Sequence, residues 1–271
     1  MKRPIMRYHG GKFRNAVKIM RYFPKHKAYV EPFGGAASIL MQKARVPLEV
    51  YNDLDDEIVN VFKVLRSPVA SMRLQEALIL TPFSFTEYLN TYSPCTDPVE
   101  RARRTLTRAA MGVGSNAATR KAVNGFRSKR AACSSPARDF ANYPPHIEAF
   151  CARLQGVTIE CRPALDIIQR YDSPNTLFYV DPPYVVSTRT LSHQSYRHEM
   201  TDEQHEALAT TLHEVKGKVI LSGYDCDLYQ RLYVGWKSVS FKALADKAQE
   251  RTETLWISNN AITQAPLLAA M

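Results

Sequence analysis

The chain has 271 residues, 45% of them hydrophobic and 23% charged, with a formal net charge of +10. That content fills the core of one large domain, or of one domain with an insertion, and no apolar run approaches the ~20 residues that span a bilayer. The opening residues lack the apolar stretch of a signal peptide, and the five cysteines form no Cys-x-x-Cys pair, so a cytoplasmic protein with neither membrane segment nor metal is expected.

In chain order, the first informative segment is Arg7-Tyr8-His9-Gly10-Gly11-Lys12, an aromatic and a lysine around a flexible glycine pair, where Lys12 is suited to a ligand carboxylate. A strand over 28–30 runs into Glu31-Pro32-Phe33-Gly34-Gly35-Ala36-Ala37-Ser38, and small residues at a strand-to-helix turn let a ligand approach the backbone. A helix is expected over 38–44, a second strand over 48–51 and a helix over 57–65. Asp53 stands 19 residues beyond Gly34, near the ~20 spacing at which an acid takes ribose hydroxyls. The loop lacks both the Gly-Lys-Ser/Thr of triphosphate sites and the full Gly-x-Gly-x-x-Gly of dinucleotide sites, so a nucleoside without a demanding pyrophosphate suits it. An ordinary tight turn followed by a helix-capping acid accounts for these residues equally well when they are taken alone.

Strand, helix, strand, helix implies a parallel sheet. The rhythm is lost near Ser67-Pro68 and returns with a strand over 157–161, so 67–156 reads as a helical insertion, and 1–66 with 157–271 as one α/β domain. Ten basic residues and no acid lie between 101 and 138, while the rest of the chain carries 26 basic and 26 acidic residues. The whole net charge thus falls in one segment, the footprint of a surface that neutralises phosphates. Its candidates are Arg101, Arg103, Arg104, Arg108, Asn116, Arg120, Lys121, Asn124, Arg127, Lys129 and Arg130, among which Arg108, Asn116, Arg120 and Asn124 are the candidates for reading bases. A solvated basic helix or a membrane-surface patch would also be basic, but the segment is rich in Gly, Ser, Asn and Thr and has no apolar stripe.

A helix over 164–171 and a strand over 176–180 lead to Asp181-Pro182-Pro183-Tyr184. Beyond it, Thr201-Asp202-Glu203-Gln204 has the form of a capping box opening a helix that stops at Gly217, and strands are expected over 219–224 and 254–258. The tetrapeptide places a carboxylate on an immobile turn at the carboxyl end of a buried strand, where doubly wound sheets present their chemistry. Asp181 and the carbonyl of Pro182 both accept hydrogen bonds, so together they bracket an exocyclic NH2 group, and the ring of Tyr184 offers a face to a planar base. An isolated Pro-Pro more often merely ends a strand.

Taken together, Tyr8 to Lys12, Glu31 to Gly35, Tyr51-Asn52-Asp53 and Asp181 to Tyr184, in this order and spacing, resemble the DNA adenine-N6 methyltransferases of the Dam type, the D12 class. The segments 195–200 and 251–256 are similar to phage-borne or prophage-borne members. The resemblance implies a Rossmann-like S-adenosylmethionine-dependent methyltransferase sheet with a helical insertion that recognises double-stranded DNA. It implies cofactor contacts from Tyr8, Lys12, Pro32, Phe33, Gly34, Gly35, Asp53, Asp166 and Asp181, and catalysis on a flipped adenine by Asp181, Pro182, Pro183 and Tyr184. Two positions depart from the family's pattern: Ala37 replaces its second loop glycine and Tyr8 its usual Trp. An amino methyltransferase acting on cytosine N4 or RNA, and a nucleic-acid-binding module without catalysis, are the alternatives.

Overall fold

The computed structural model describes residues 1–120, 122–123, 125–128, 135–188, 196–244 and 250–262. Its centre is a seven-stranded sheet of β1 (Ala28–Glu31), β2 (Leu48–Asn52), β3 (Val157–Glu160), β4 (Thr176–Val180), β5 (Lys218–Gly223), β6 (Lys237–Leu244) and β7 (Glu250–Ile257), in the order β3-β2-β1-β4-β5-β7-β6. The first five strands run parallel, and β7 is antiparallel to both β5 and β6.

Successive strand side chains point to opposite faces, so a sheet covered on both sides needs apolar residues at consecutive positions. Leu177 and Tyr179 of β4 lie in one core with Tyr29, Tyr51 and Ile220, while Phe178 and Val180 lie in the other with Val30, Val50 and Leu221. The first core is covered by α2 (Asp56–Arg66), α3 (Pro68–Ile79), α5 (Pro98–Met111) and α7 (Ile147–Leu154), through residues such as Phe62, Leu74, Leu106 and Phe150. The short helices α1 (Ala16–Met20), α4 (Phe85–Asn90) and α6 (Pro136–Ala141) contribute Ile19, Tyr88 and Phe140 to it. The second core is covered by α8 (Ala164–Arg170), α9 (Asp202–Glu214) and α10 (Asp227–Leu232), and a last turn, α11 (Asn259–Ile262), follows β7. The capping box at Thr201 is present, with the Thr201 side chain and that of Gln204 each accepting from the other's backbone N–H.

The helices between β2 and β3 share the first core with the sheet. Arg153 of α7 reaches Glu49 of β2 at 2.7 Å and the Leu40 carbonyl at 2.5 Å, and Arg101 of α5 reaches the first turn of α2.

Two local expectations fail for identifiable reasons. Residues 38–44 form turns and not a helix, because the Leu40 N–H donates to Glu31 Oε1 at 2.7 Å and leaves the i to i−4 ladder, and Ala37 sits at φ +51°. The last strand is longer than 254–258 and pairs with β6, an unforeseen edge strand whose Val239 and Phe241 are half-buried between exposed neighbours. No described helix is long and apolar enough to cross a membrane, and no group of His, Cys, Asp and Glu among the described residues is arranged to hold a metal ion.

Candidate active site

In a doubly wound sheet, ligands bind beyond the carboxyl ends of the strands, where neighbouring connections leave in opposite directions. That point lies between β1 and β4, since β1 continues to β2 on one side and β4 to β5 on the other. A cavity of about 290 Å³ opens there, lined by the Tyr8 to Lys12 loop, Phe33 to Gly35, Asp53, Asp181 and Pro183, with Leu165 and residues 196–200 along its walls.

The glycine loop has no room for side chains. A Cβ on Gly34 would lie 2.2 Å from the Tyr51 ring, and one on Gly35, which has φ +47°, would lie 2.7 Å from the Tyr8 ring. Asp53 fixes the turn by accepting from Gly35 N at 2.8 Å and from Asp55 N at 2.9 Å. The Tyr51 hydroxyl donates to the Gly35 carbonyl at 2.7 Å. Asn52 is fully buried and ties three strand ends together: its carbonyl accepts from Gly34 N at 2.7 Å, its amide donates to the Pro32 and Arg162 carbonyls, and its Oδ1 accepts from Arg162 N.

At the end of β4, Asp181 holds Lys12. Each oxygen of its carboxylate lies 3.0 Å from Lys12 Nζ, which also donates to the Gly10 carbonyl at 2.8 Å and stands 3.7 Å from Glu253 Oε1 of β7. The same ammonium lies 4.8 Å from the centre of the Tyr184 ring, whose hydroxyl donates to Glu253 Oε1 at 3.4 Å and whose edge meets Tyr224. Burial by itself would lower the Lys12 pKa, but the carboxylates of Asp181 and Glu253 more than reverse that and keep Lys12 charged. Three acids of the cavity are affected in the opposite sense. Burial raises Asp181 to about 6 against the pull of Lys12, Asp53 to about 6 against its two backbone hydrogen bonds, and Glu31 to about 7 against those from Tyr29 and Leu40.

Most of the expected site residues converge here: Tyr8, Lys12, Phe33, Gly34, Gly35, Asp53, Asp181 and Pro183 line the cavity. Pro32 is turned into the Asn52 staple, and Tyr184 is buried beneath the Lys12 ammonium. Asp166 is exposed on α8 and does not line the cavity, where its neighbours Pro163, Ala164 and Leu165 do. Glu31, Asn52, Glu253 and residues 196–200 fall in segments that carry the family resemblance but receive no site role from the sequence; here they build the site, with Arg197 of the 196–200 wall pairing with Asp55 at 3.1 Å.

The basic segment is not the row of free cations its composition suggests. Arg101 is paired with Asp56 and Glu57, Arg103 with Glu100 and Glu87, and Arg104 with Glu100. Arg108 is a correction to the base-reading candidates: it is buried, with its guanidinium bonded to the Thr91 carbonyl at 2.6 Å and to Thr105 Oγ1 at 3.0 Å. Arg127 donates to the Ala110 carbonyl, and Asn116 and Arg120 are half-buried in the loop after α5. Lys121, Asn124, Lys129 and Arg130 lie outside the described residues. That loop adjoins the cavity's own N-terminal loop, since Arg7 donates to the Gly112 carbonyl at 3.4 Å and His9 Nδ1 lies 3.1 Å from Ser115 Oγ.

A doubly wound sheet with an acid on a proline turn beside a tight glycine loop defines a Rossmann-like methyltransferase. The chain belongs to the D12 class N6 adenine-specific DNA methyltransferases, whose family model matches residues 8–251. It is thus an adenine-specific DNA methyltransferase, which sets aside cytosine N4, RNA and a non-catalytic module. Its relatives include the type II methyltransferase M.MjaIII of Methanocaldococcus jannaschii, 23% identical over 94% of this chain and 96% of that protein. The DNA adenine methylase of Salmonella typhimurium is 23% identical over 85% of this chain and 84% of its own length, and that of Vibrio cholerae 26% over 86% of each.

Proposed function

We propose that Asp181 and the Pro182 carbonyl accept the two hydrogens of the N6 amino group of an adenine flipped out of duplex DNA. Tyr8, the Phe33 to Gly35 loop and Asp53 then hold S-adenosylmethionine, the donor that the family implies. The observation that carries this reading is the position of Asp181, on a rigid proline turn facing the cavity where the strand order reverses.

The cavity suits a cationic nucleoside. Desolvation holds Asp53, Asp181 and Glu31 above the ordinary carboxylate range, so a cation brought into the site would relieve that cost, and the glycine loop leaves backbone where a Cβ would collide. When bound, the cofactor supplies an electrophilic methyl group on a sulfonium.

The protein's part is to make a poor nucleophile better. The adenine N6 lone pair is delocalised into the ring, and two fixed acceptors on its hydrogens favour tetrahedral nitrogen and localise the pair, with the Asp181 carboxylate facing the charge that builds there. No covalent enzyme intermediate is needed. Extruding the base costs a few kcal/mol, and stacking on Tyr184, worth about 1–3 kcal/mol, returns part of that.

The insertion, residues 67–156, supplies the DNA contacts in this reading. Because α5 spends its arginines on ion pairs, the phosphate contacts are assigned to the basic segment that follows it in sequence, Arg120 to Arg130, whose described part adjoins the N-terminal loop of the cavity through Ser115 and His9. A DNA substrate supports the cytoplasm as the place of action. The test is to expose unmethylated genomic DNA to the protein with cofactor and map modified bases by single-molecule sequencing. N6-methyladenine at one short site is expected with the natural protein and a loss of about 10³-fold or more with Asp181→Ala; a fully active Asp181→Ala protein would remove Asp181 from its role.

A further inference from the structure

In this conformation Lys12 occupies both parts of the proposed machinery. Its ammonium lies 3.0 Å from each oxygen of Asp181 and over the ring of Tyr184, so the adenine amine and the adenine ring meet the same obstacle. Lys12 is 3% exposed, and an ammonium displaced within a buried site needs a second partner, because an unpaired buried charge is strongly disfavoured.

Glu253 is placed to be that partner. It enters from β7, 72 residues beyond Asp181, and its Oε1 is already 3.7 Å from Lys12 Nζ, less than an ångström farther than either Asp181 oxygen. Its Oε2 is buried and makes no hydrogen bond among the described residues. A buried carboxylate oxygen left without a donor in one state is explained if it gains one in another. The bond from the Tyr184 hydroxyl to Glu253 Oε1 also ties this carboxylate to the ring on which the base would stack.

We propose that Glu253 is a positioning residue that takes over the Lys12 ammonium when the adenine amino group claims Asp181. The inference rests on the proposed role of Asp181. No proton or bond changes hands in this step: the ammonium exchanges one carboxylate partner for another, Asp181 gains a free acceptor, and the face of Tyr184 is cleared. The groups facing Asp181 are Lys12 and Tyr8 from the N-terminal loop, Glu253 from β7, Glu31 from β1, Tyr229 from α10, and Tyr179 and Tyr184 from its own strand and turn. Of these, Lys12 and the Tyr184 hydroxyl lower the Asp181 pKa and Glu253 raises it. Neutralising Glu253 therefore leaves Asp181 more tightly held by Lys12 and more acidic.

The test compares Glu253→Gln, Glu253→Asp and Asp181→Asn in single-turnover methylation of duplex DNA across pH. Glu253→Gln keeps an acceptor for the Tyr184 hydroxyl but loses the charge, and is expected to lower kcat about 10- to 100-fold, the worth of one charged hydrogen bond, with little change in either KM. Its acid limb should move to lower pH, and Glu253→Asp should restore part of both. A folded Glu253→Gln protein with the natural kcat and pH limb would overturn the inference, whereas an active Asp181→Asn protein would overturn the reading beneath it. If Glu253→Gln does not fold, a crystal structure of the natural protein with a flipped adenine decides. Lys12 Nζ in hydrogen-bond contact with Glu253 and released from one Asp181 oxygen supports the exchange, and Lys12 still on both Asp181 oxygens refutes it.

Discussion

The cavity and helix α5 carry charge in opposite ways. Around the cavity, Glu31 is buried and Asp53 and Asp181 are half-buried, and desolvation pushes all three above the ordinary carboxylate range. Along α5, Arg101, Arg103 and Arg104 are half-buried, and each is matched to carboxylates on α5 itself, on α2 or on α4. Arg103 is held above the usual guanidinium range by Glu100, with Glu87 adding to the effect against the cost of burial. A charge set that costs stability is retained for what it binds, and one whose members satisfy each other holds the fold together.

The largest effect expected from breaking this contrast is at Asp53. Substitution by Asn keeps an oxygen in the turn but removes the charge, and should weaken cofactor binding by about 100-fold, the loss of a charged hydrogen-bond acceptor. The free protein should respond in the other direction. The folded pKa of Asp53, about 6, lies above its ordinary 3.8, so the folded state holds the proton more tightly. The desolvated carboxyl therefore costs almost nothing below pH 4, and its cost builds between 3.8 and 6 and levels off above 6 at on the order of 3 kcal/mol, which is fully present at pH 8. Set against about 1 kcal/mol for one weakened backbone hydrogen bond, Asp53→Asn should raise the melting temperature at pH 8 and not at pH 4. Thermal melts at the two pH values, with cofactor titrations beside them, check both signs; a variant less stable than the natural protein at pH 8 would place Asp53 with the structural charges.

Much of this contrast is hidden from a reading along the chain. Strands β1, β2 and β4 are legible because sheets covered on both faces need unbroken apolar runs, and the acid-proline turn is legible because its parts are adjacent. Strand β6 is not, since an edge strand buries little. Nor is the broken turn at Leu40, because the intruding acceptor is Glu31, nine residues back and in another element. The α5 arginines mislead for a similar reason: an acid-free window that begins at Arg101 stops one residue short of Glu100, and Asp56, Glu57 and Glu87 arrive only on folding. Glu253 leaves only a faint trace, an acid within the otherwise apolar and hydroxylated run 252–257.

The cavity acids also set a pH dependence. In its proposed role Asp181 must be ionised to accept from the amine, and its folded pKa is about 6, so single-turnover methylation should fall about tenfold per pH unit below that value. Asp53 and Glu31 titrate close by, so the apparent pKa belongs to the group of three rather than to one residue. A limb near the unperturbed 3.8 would show that the Asp181 carboxylate is solvated in the working state.

The smallest effect tests the other side of the comparison. If Arg103 serves the fold, Arg103→Met should cost about 1–3 kcal/mol, because Glu87 loses its cation and Glu100 keeps only Arg104, in a region that is mostly shielded from water. The methylation rate should stay within about twofold at a temperature where the variant is folded. DNA binding gives the sharper reading, since each phosphate contact adds about 0.9 to the slope of log affinity against log salt. A cation already matched to carboxylates has no counterion to release at the DNA, so the slope should be steep overall and unchanged by Arg103→Met. A drop of about one unit would mean that α5 exchanges its internal partners for phosphates on binding, and would return the helix to the interface.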